Sequence, residues 1–170
     1  NVCKRKTIYA NIKINTALGL IVSDMRMKQV DDIDNASYVG NIVFDEFDLG
    51  ILLNNPKIKT TSFDLDVNGR GFTLDNLSTQ VTGEVFHIDY NDYTYNDVDV
   101  SGKLGNQIFN GILESKDNNF KFKFNGLADL SNDVKAFDFN ANVEYANLRA
   151  LNFITKDSIS IFRGKVTTSM

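Results

Sequence analysis

The sequence predicts an all-β protein, an elongated and curled antiparallel sheet with an apolar concave face and two short helical turns. Between residues 119 and 126, Phe120, Phe122 and Phe124 alternate with polar residues, and residues 137–145 repeat the arrangement. Successive side chains of an extended chain point to opposite faces, whereas a helix would scatter these rings around its circumference. Thirteen Phe and six Tyr with one Pro and no Trp are typical of strands joined by tight turns.

The chain has 170 residues, enough for one domain with a core, so residues 1–170 are treated as a single β-rich segment. It begins without Met and stops within a predicted strand, and we therefore expect an excerpt of a longer polypeptide whose anchor lies elsewhere. A net charge of −4 argues against a nucleic-acid partner. Nothing approaches the 18 apolar residues of a membrane-spanning helix.

Three strands are predicted in the first part of the chain. Apolar residues alternate from Ile8 to Ile14, and turn residues at 15–19 lead into a second strand that ends near Lys28. An acidic turn at 31–35 precedes a third strand over residues 38–44. The short spacing predicts consecutive antiparallel hairpins.

A short helix of about two turns is predicted after the third strand. Asp48 suits the N-cap, Leu49, Leu52 and Leu53 fall on one helix side, and Pro56 follows the end. Residues 145–152 match this segment position by position, about 100 residues later. This similarity predicts a second helical turn and an internal repeat in an elongated stack.

Strands resume over 63–67, then over 77–85 and then over 86–90, where a change of alternation between Val85 and Phe86 indicates a bulge, a bend or a new strand. Turn residues near 91, 105, 116–119 and 131–133 then separate further strands, and the last run covers 158–170. The spacing predicts a meander.

Residues 64–75 match part of an EF-hand calcium loop, with Asp64, Asp66 and Asn68 at its first, third and fifth positions. The twelfth position is Asp75, not the usual Glu, and the flanks lack helical patterning. We therefore interpret Asp64 and Asp66 as the solvated face of a strand and expect no metal site.

No residue pattern predicts catalysis. His87 is the single histidine and lacks a nucleophile motif, and Cys3 is the single cysteine, so neither a zinc cluster nor an internal disulfide is expected. Asp89 and Asp92 could act as the paired carboxylates of a glycosidase, but Asp and Asn are also frequent in turns for conformational reasons. We expect a protein that is not an enzyme and has no cofactor. A carbohydrate-active enzyme is the least favoured hypothesis.

The recurring feature is the one-sided apolar sheet, which could fold over on itself, carry a helix layer, or leave a groove for an apolar client. The two helical turns are too short for a helix layer. Periodicity does not distinguish a self-packed sandwich from a groove. The predicted groove lining is Phe63, Leu65, Val67, Val98, Val100, Phe109, Phe120, Phe122, Phe124, Phe137, Phe139 and Val143.

Several segments resemble the TamB family of translocation and assembly proteins in its Bacteroidota form, within the wider AsmA-like group. These segments are residues 47–53, 69–77, 93–95, 124–126 and 143–152. The resemblance runs through most of the chain and is strongest from about Ala36 onward.

This resemblance implies a periplasmic segment of a protein anchored in the inner membrane, with a sheet curled into a hydrophobic groove, a β-taco. It also implies a TamA-like outer-membrane barrel as partner, and phospholipid or nascent outer-membrane β-barrel proteins, including autotransporters, as clients. Outer-membrane biogenesis, protein secretion and phospholipid transport are the implied processes. The alternative is a self-packed β-sandwich acting as a binding or adhesin module without lipid cargo.

Overall fold

The strands of this chain follow one another in a single open sheet. The computed structural model describes residues 7–73, 76–129, 137–155 and 160–168. Their ten strands are antiparallel, and the order in the sheet is the order in the sequence, which confirms the predicted all-β meander. The elements are β1 (Thr7–Thr16), β2 (Gly19–Lys28), β3 (Ser37–Asp48), α1 (Leu49–Leu53), β4 (Ile58–Arg70), β5 (Ser78–Tyr90), β6 (Tyr93–Gly105), β7 (Ile108–Lys116), β8 (Phe120–Asp129), β9 (Phe137–Asn147) and β10 (Ile161–Thr168).

The connections alternate between two rims, as antiparallel pairing of consecutive strands requires. The rim that carries the β1–β2, β3–β4, β5–β6, β7–β8 and β9–β10 connections is called the upper rim. The rim that carries the other connections is called the lower rim. The principal backbone contacts of each strand are with its neighbours in the sheet, and α1 contacts β4. The described strands therefore form one continuous sheet.

The change of alternation between Val85 and Phe86 is a bulge within one long strand. Ser62 pairs with His87 and Phe63 pairs with Val85, so Phe86 is the extra residue. Similar register shifts occur in β3, between residues 44 and 47, and where β9 pairs with β8. Such bulges bend a strand and increase its local twist.

The segment after β3 is α1, a helix of five residues. Asp48 Oδ1 accepts a hydrogen bond from the backbone N–H of Ile51 at 2.9 Å, as expected for an N-cap. The helix ends at Asn54, whose backbone is left-handed, with φ of 50°. α1 is therefore shorter than the two turns that the sequence predicts.

At the second predicted helical turn, residues 148–152 form hydrogen-bonded turns and not an α-helix. Asn147 Oδ1 accepts from the N–H of Ala150 at 3.2 Å, and Asn152 adopts a φ of 60°. Phe153 N–H donates to the carbonyl of Leu148, five residues earlier, just as Asn55 donates to Gly50 after α1. Both segments thus begin with an Asx cap and stop at a left-handed Asn, which leaves room for about one turn.

Candidate functional site: the apolar face

Backbone register places apolar residues in rows that cross the whole sheet, because residues paired across antiparallel strands point to the same face. One row, from β1 to β10, is Ile12, Ser23, Ile42, Leu65, Gly83, Val100, Leu113, Phe124, Ala141 and Val166. The next row toward the upper rim is Ile14, Ile21, Phe44, Phe63, Val85, Val98, Ser115, Phe122, Val143 and Gly164. We call this side of the sheet the apolar face and the other side the polar face.

All twelve residues predicted to line a groove occupy positions on the apolar face. Val67 and Phe139 lie in the next row toward the lower rim, and Phe109 lies one row further. Phe120 lies nearest the upper rim, opposite Ala146. Phe137 opens β9 opposite Ala128, and its side chain is outside the described residues.

Rings on the apolar face contact one another in pairs. Phe44 and Phe63 stack with centroids 4.5 Å apart, and Phe124 lies 5.0 Å from Phe139. Offset and tilted ring pairs at such distances add to the stability gained from burial. These contacts connect the rings of neighbouring strands along the apolar face.

The apolar face is only partly buried. Phe109 and Phe124 are buried, whereas Phe63, Leu65 and Phe122 are half-buried. On the edge strands, Ile14 and Val166 are exposed. The burial of side chains on the apolar face therefore decreases from the middle strands toward both edges of the sheet.

The accessible surface of the chain supports the same conclusion. It measures 11155 Å². A compact monomer of this mass would expose roughly 8,400 Å² by the usual scaling of area with mass. The chain thus exposes more surface than a compact monomer of its mass.

Three glycines at adjacent positions on β6, β7 and β8 interrupt the apolar face. A Cβ on Gly102 would lie 2.9 Å from the ring of Phe109, and one on Gly111 would lie 3.0 Å from the same ring. On Gly126, a Cβ would lie 2.3 Å from the backbone carbonyl oxygen of Asp138. Gly102 and Gly111 thus leave room for the ring of Phe109, and Gly126 leaves room for the neighbouring backbone. Sequence reasoning missed this role, although Gly102 continues the apolar alternation of Val98 and Val100.

A buried carboxylate organises the upper rim. Asp117 is 2% exposed and accepts hydrogen bonds from the Tyr93 hydroxyl at 2.6 Å and from the N–H groups of Asn96, Asn119 and Phe120 at 3.0, 2.7 and 3.0 Å. The Asn96 side chain adds a contact at 3.3 Å. These bonds join the β7–β8 turn to β6. The sequence shows Asp117 only as one turn residue among many.

The same contacts shift the acidities of two groups. Burial alone would raise the pKa of Asp117, but the hydrogen bonds from Tyr93 and the Asn119 and Asn96 N–H groups hold it below its ordinary value. Burial, together with the bond to Asp117, raises the pKa of Tyr93 to about 12. At neutral pH the pair is therefore a phenol that donates to a carboxylate.

The β9–β10 connection crosses the upper rim to reach the β5–β6 turn. Asn152 Nδ2 donates to the carbonyls of Asn91 and Asp92 at 3.2 and 3.0 Å. Leu151, beside it, is fully buried. The connection starts where Asn147 N–H donates to the Asn119 carbonyl at 2.8 Å. It therefore links the β5–β6 and β7–β8 turns of the upper rim.

The polar face carries a row of carboxylates on four neighbouring strands. This row comprises Asp64, Glu84, Asp99 and Glu114. Lys116 contacts Asp99 at 2.7 Å and Lys123 contacts Glu114 at 3.0 Å. An open concavity of about 460 Å³ also lies on this side, and Asp24, Asn41 and Asp66 contribute to its lining.

The remaining sequence candidates lie apart from one another. Asp64 and Asp66 are on β4 and both accept from Asn41 Nδ2, at 2.6 and 3.2 Å. His87 Nε2 lies 3.5 Å from Glu46 Oε1. Within the described ranges, no group of three or more His, Cys, Asp and Glu side chains is arranged to hold a metal ion.

Asp89 and Asp92 take part in separate contacts near the β5–β6 turn. Asp89 accepts from the hydroxyls of Thr60 and Thr94 at 2.9 and 2.6 Å, and Asp92 contacts Lys59 at 2.7 Å.

In the part of the chain that the structure describes, no helix has the length and apolarity needed to cross a membrane.

Comparisons with protein-family models, with curated proteins and with solved structures find no match to this chain. The interpretation of the apolar face therefore depends on its geometry and on the sequence resemblance described above.

Proposed function

We propose that this chain is a periplasmic segment of a TamB-like translocation and assembly protein, and that its apolar face shelters hydrocarbon between the inner and outer membranes. The observation that carries the proposal is the apolar face itself, which continues across all ten strands and is only partly buried. Phospholipid acyl chains are the client that we favour. Nascent outer-membrane β-barrel strands are the other apolar client that such a face suits.

The chemistry of the apolar face fits hydrocarbon. Its rows consist mainly of Phe, Ile, Val, Leu and Gly with few polar atoms, so contact is non-directional and favours sliding over fixed orientation. Burial there contributes roughly 25 cal/mol per Å² of apolar surface. A protein ligand with fixed polar groups would find few hydrogen-bond partners on these rows.

The dimensions of the sheet also fit acyl chains. Neighbouring strands lie about 4.8 Å apart, so ten strands span about 45 Å from edge to edge. The hydrocarbon core of a bilayer, which holds two opposed layers of acyl chains, is about 30 Å thick. One apolar row is thus long enough for the tails of a phospholipid laid across the strands.

Curling of the sheet around the apolar face is part of the proposal. Bulges in β3, β5 and β9 favour bending, and the upper-rim contact between Asn152 and the β5–β6 turn draws β9 and β6 together. Folding of the two rims toward each other would make the apolar face the concave lining of a groove. The short turns at Asp48 and Asn147 would then mark repeated positions along one rim.

The cellular setting follows from the resemblance to TamB proteins. We propose that the full-length protein is anchored in the inner membrane of a Gram-negative bacterium and meets a TamA-like barrel at the outer membrane. No catalytic step is assigned to the chain, and no cofactor is needed for the proposed role.

A self-packed sandwich is the alternative, with a binding or adhesin role and no lipid. It requires a second layer against the apolar face. The described strands all belong to one sheet that does not close on itself, and Ile14, Phe162 and Val166 remain exposed on the apolar face. These observations favour the open face.

The test replaces one face residue and one matched residue on the opposite side. Phe122→Asp places a charge on the apolar face, whereas Lys121→Asp places the same side chain on the polar face of the same strand. Phospholipid that co-purifies with each variant from bacterial membranes is measured by mass spectrometry, and circular dichroism checks the fold. We expect Phe122→Asp to lose most of the bound lipid and Lys121→Asp to retain it. A folded Phe122→Asp variant with unchanged lipid would overturn the proposal.

A further inference from the structure

The open concavity on the polar face lies above four neighbouring strands, β2 to β5, and has a volume of about 460 Å³. The backbone of Gly40 and Val67 forms its floor, because both residues belong to a row of the apolar face and direct no side chain to this side. Two carboxylates, three amides and one hydroxyl surround the floor. These polar side chains are Asp24, Asp66, Asn41, Asn68, Gln80 and Thr82.

Most of these polar groups are free to contact a ligand. The side chains of Asp24, Asn68, Gln80 and Thr82 are exposed, and in the described part of the chain they make no hydrogen bond or ion pair. A carboxylate only accepts hydrogen bonds, whereas an amide or a hydroxyl both donates and accepts. The concavity therefore offers a mixed set of donors and acceptors that converge on one space.

The charges around the concavity indicate an uncharged ligand. Among the described lining residues, Asp24 and Asp66 are the charged ones, and they repel an anionic polymer. Arg26 and Lys28 line an adjoining concavity toward the lower rim, and they oppose a polycation in the same way. Hydroxyl groups of a neutral ligand can donate to the two carboxylates in charge-assisted hydrogen bonds, which are stronger than those between neutral groups. A carbohydrate provides such hydroxyl groups.

Val39 narrows the class of carbohydrate. This half-buried side chain lines both concavities and is the apolar contact among the polar groups. Its neighbours in the same row are Asn68 and then Gln80. The methyl group of an N-acetyl substituent suits Val39, and the amide of that substituent can pair with either side-chain amide. Four strands span about 14 Å, which leaves room for a sugar chain laid across them.

We propose that this concavity binds a linear glycan of N-acetylated hexosamines, laid across β2 to β5. Hydroxyl groups of the glycan donate to Asp24 and Asp66, and its acetamido groups contact Val39, Asn68 and Gln80. The site lies on the opposite side of the sheet from the proposed hydrocarbon surface. The two roles thus use different side chains.

The choice of sugar tests the class of ligand. Chitohexaose, a linear oligomer of N-acetylglucosamine, is titrated into the isotopically labelled chain, and the backbone amide signals are followed by NMR. We expect saturable shifts concentrated in β2 to β5. Cellohexaose has the same linkage with a hydroxyl in place of each acetamido group, and it should bind at least fivefold more weakly. The absence of saturable shifts with chitohexaose, or equal affinity for the two sugars, would overturn the proposal.

Matched substitutions test the position of the site. Asn68→Ala removes an amide from the concavity, whereas Asn110→Ala removes the same group from β7, in the same row but outside the concavity. Both side chains are exposed, so neither substitution should unfold the chain. Asn68→Ala should weaken chitohexaose binding about fivefold, and Asn110→Ala should leave it unchanged. Equal effects would overturn the proposal. Neither titration contains lipid, so the result is independent of the proposed function.

Discussion

The hydroxyl of Tyr93 lies 2.6 Å from Oδ1 of Asp117, and this contact ties the start of β6 to the β7–β8 turn. Asn119 Nδ2 donates to the same hydroxyl at 3.2 Å. The backbone carbonyl of Asn119 accepts a hydrogen bond from Asn147 N–H, where the β9–β10 connection begins. A single buried carboxylate thus holds together neighbouring turns of the upper rim.

Replacement of Asp117 should destabilise the fold. Asp117→Ala leaves the Tyr93 hydroxyl and several N–H groups without their acceptor, at a cost of about 3 kcal/mol in the free energy of unfolding. Urea denaturation followed by circular dichroism measures the change. Asp138→Ala, at an exposed position of β9, serves as the control and should change stability by less than about 0.5 kcal/mol. Equal effects of the two substitutions would contradict the role of Asp117.

The lowered pKa of Asp117 predicts a loss of stability in acid. Because the folded-state pKa lies below the unfolded value, the contribution is complete above the unfolded pKa and is lost as the pH falls through the folded pKa. The stability difference between wild type and Asp117→Asn should therefore be constant near neutral pH and shrink below about pH 4. Urea unfolding at a series of pH values checks this, and a difference that stays constant to pH 2 would refute it.

Tyr93 predicts a second loss of stability in alkali. Its folded-state pKa of about 12 exceeds the ordinary value of 10.0, so its contribution is present below pH 10 and disappears as the pH rises toward 12. Ultraviolet titration should show one tyrosine that ionises later than the others. That late step should be missing in Tyr93→Phe, and its persistence there would assign it to another tyrosine.

Leu151 and Leu52 provide a matched pair, since they occupy equivalent positions in the two similar turns. Leu151 is fully buried and Leu52 is 57% exposed. Leu151→Ala should lower the free energy of unfolding by about 3 kcal/mol, whereas Leu52→Ala should lower it by well under 1 kcal/mol. Similar losses would show that the β9–β10 connection does not pack as described.

The carboxylate row on the polar face predicts a stabilising substitution. Glu84 faces Asp64 on one side and Asp99 on the other. Glu84→Gln should raise the free energy of unfolding by roughly 0.5 kcal/mol, because like charges directly opposite each other on neighbouring strands are unfavourable. The gain should diminish in high salt, which screens exposed charges. A gain that is independent of salt would point to a cause other than charge.

The strands and their faces could be predicted from the sequence because alternation has a period of two wherever one side of a sheet is apolar. The run around Phe122 is a strand, as predicted, and the change of alternation at Phe86 is a bulge, one of the three interpretations that the sequence left open. Local patterns were sufficient for these features.

The contacts between turns could not be predicted in the same way. Asp117 and Asn152 act on residues far away in the sequence, and nothing in their local pattern distinguishes them from other Asx residues in turns. The second helical turn was expected from its similarity to the first, yet Asn152 ends it after residues 148–152. Hydrogen bonds to another part of the rim determine the conformation there.

The strict sequence order of the strands has a consequence for how the chain acquires its structure. Each hairpin closes a short loop, so pairing can proceed from one end of the polypeptide to the other without distant segments having to meet first. A chain that emerges gradually from the ribosome can add each new strand to those already formed. Folding in this order would leave little time in which unpaired Phe-rich strands could aggregate.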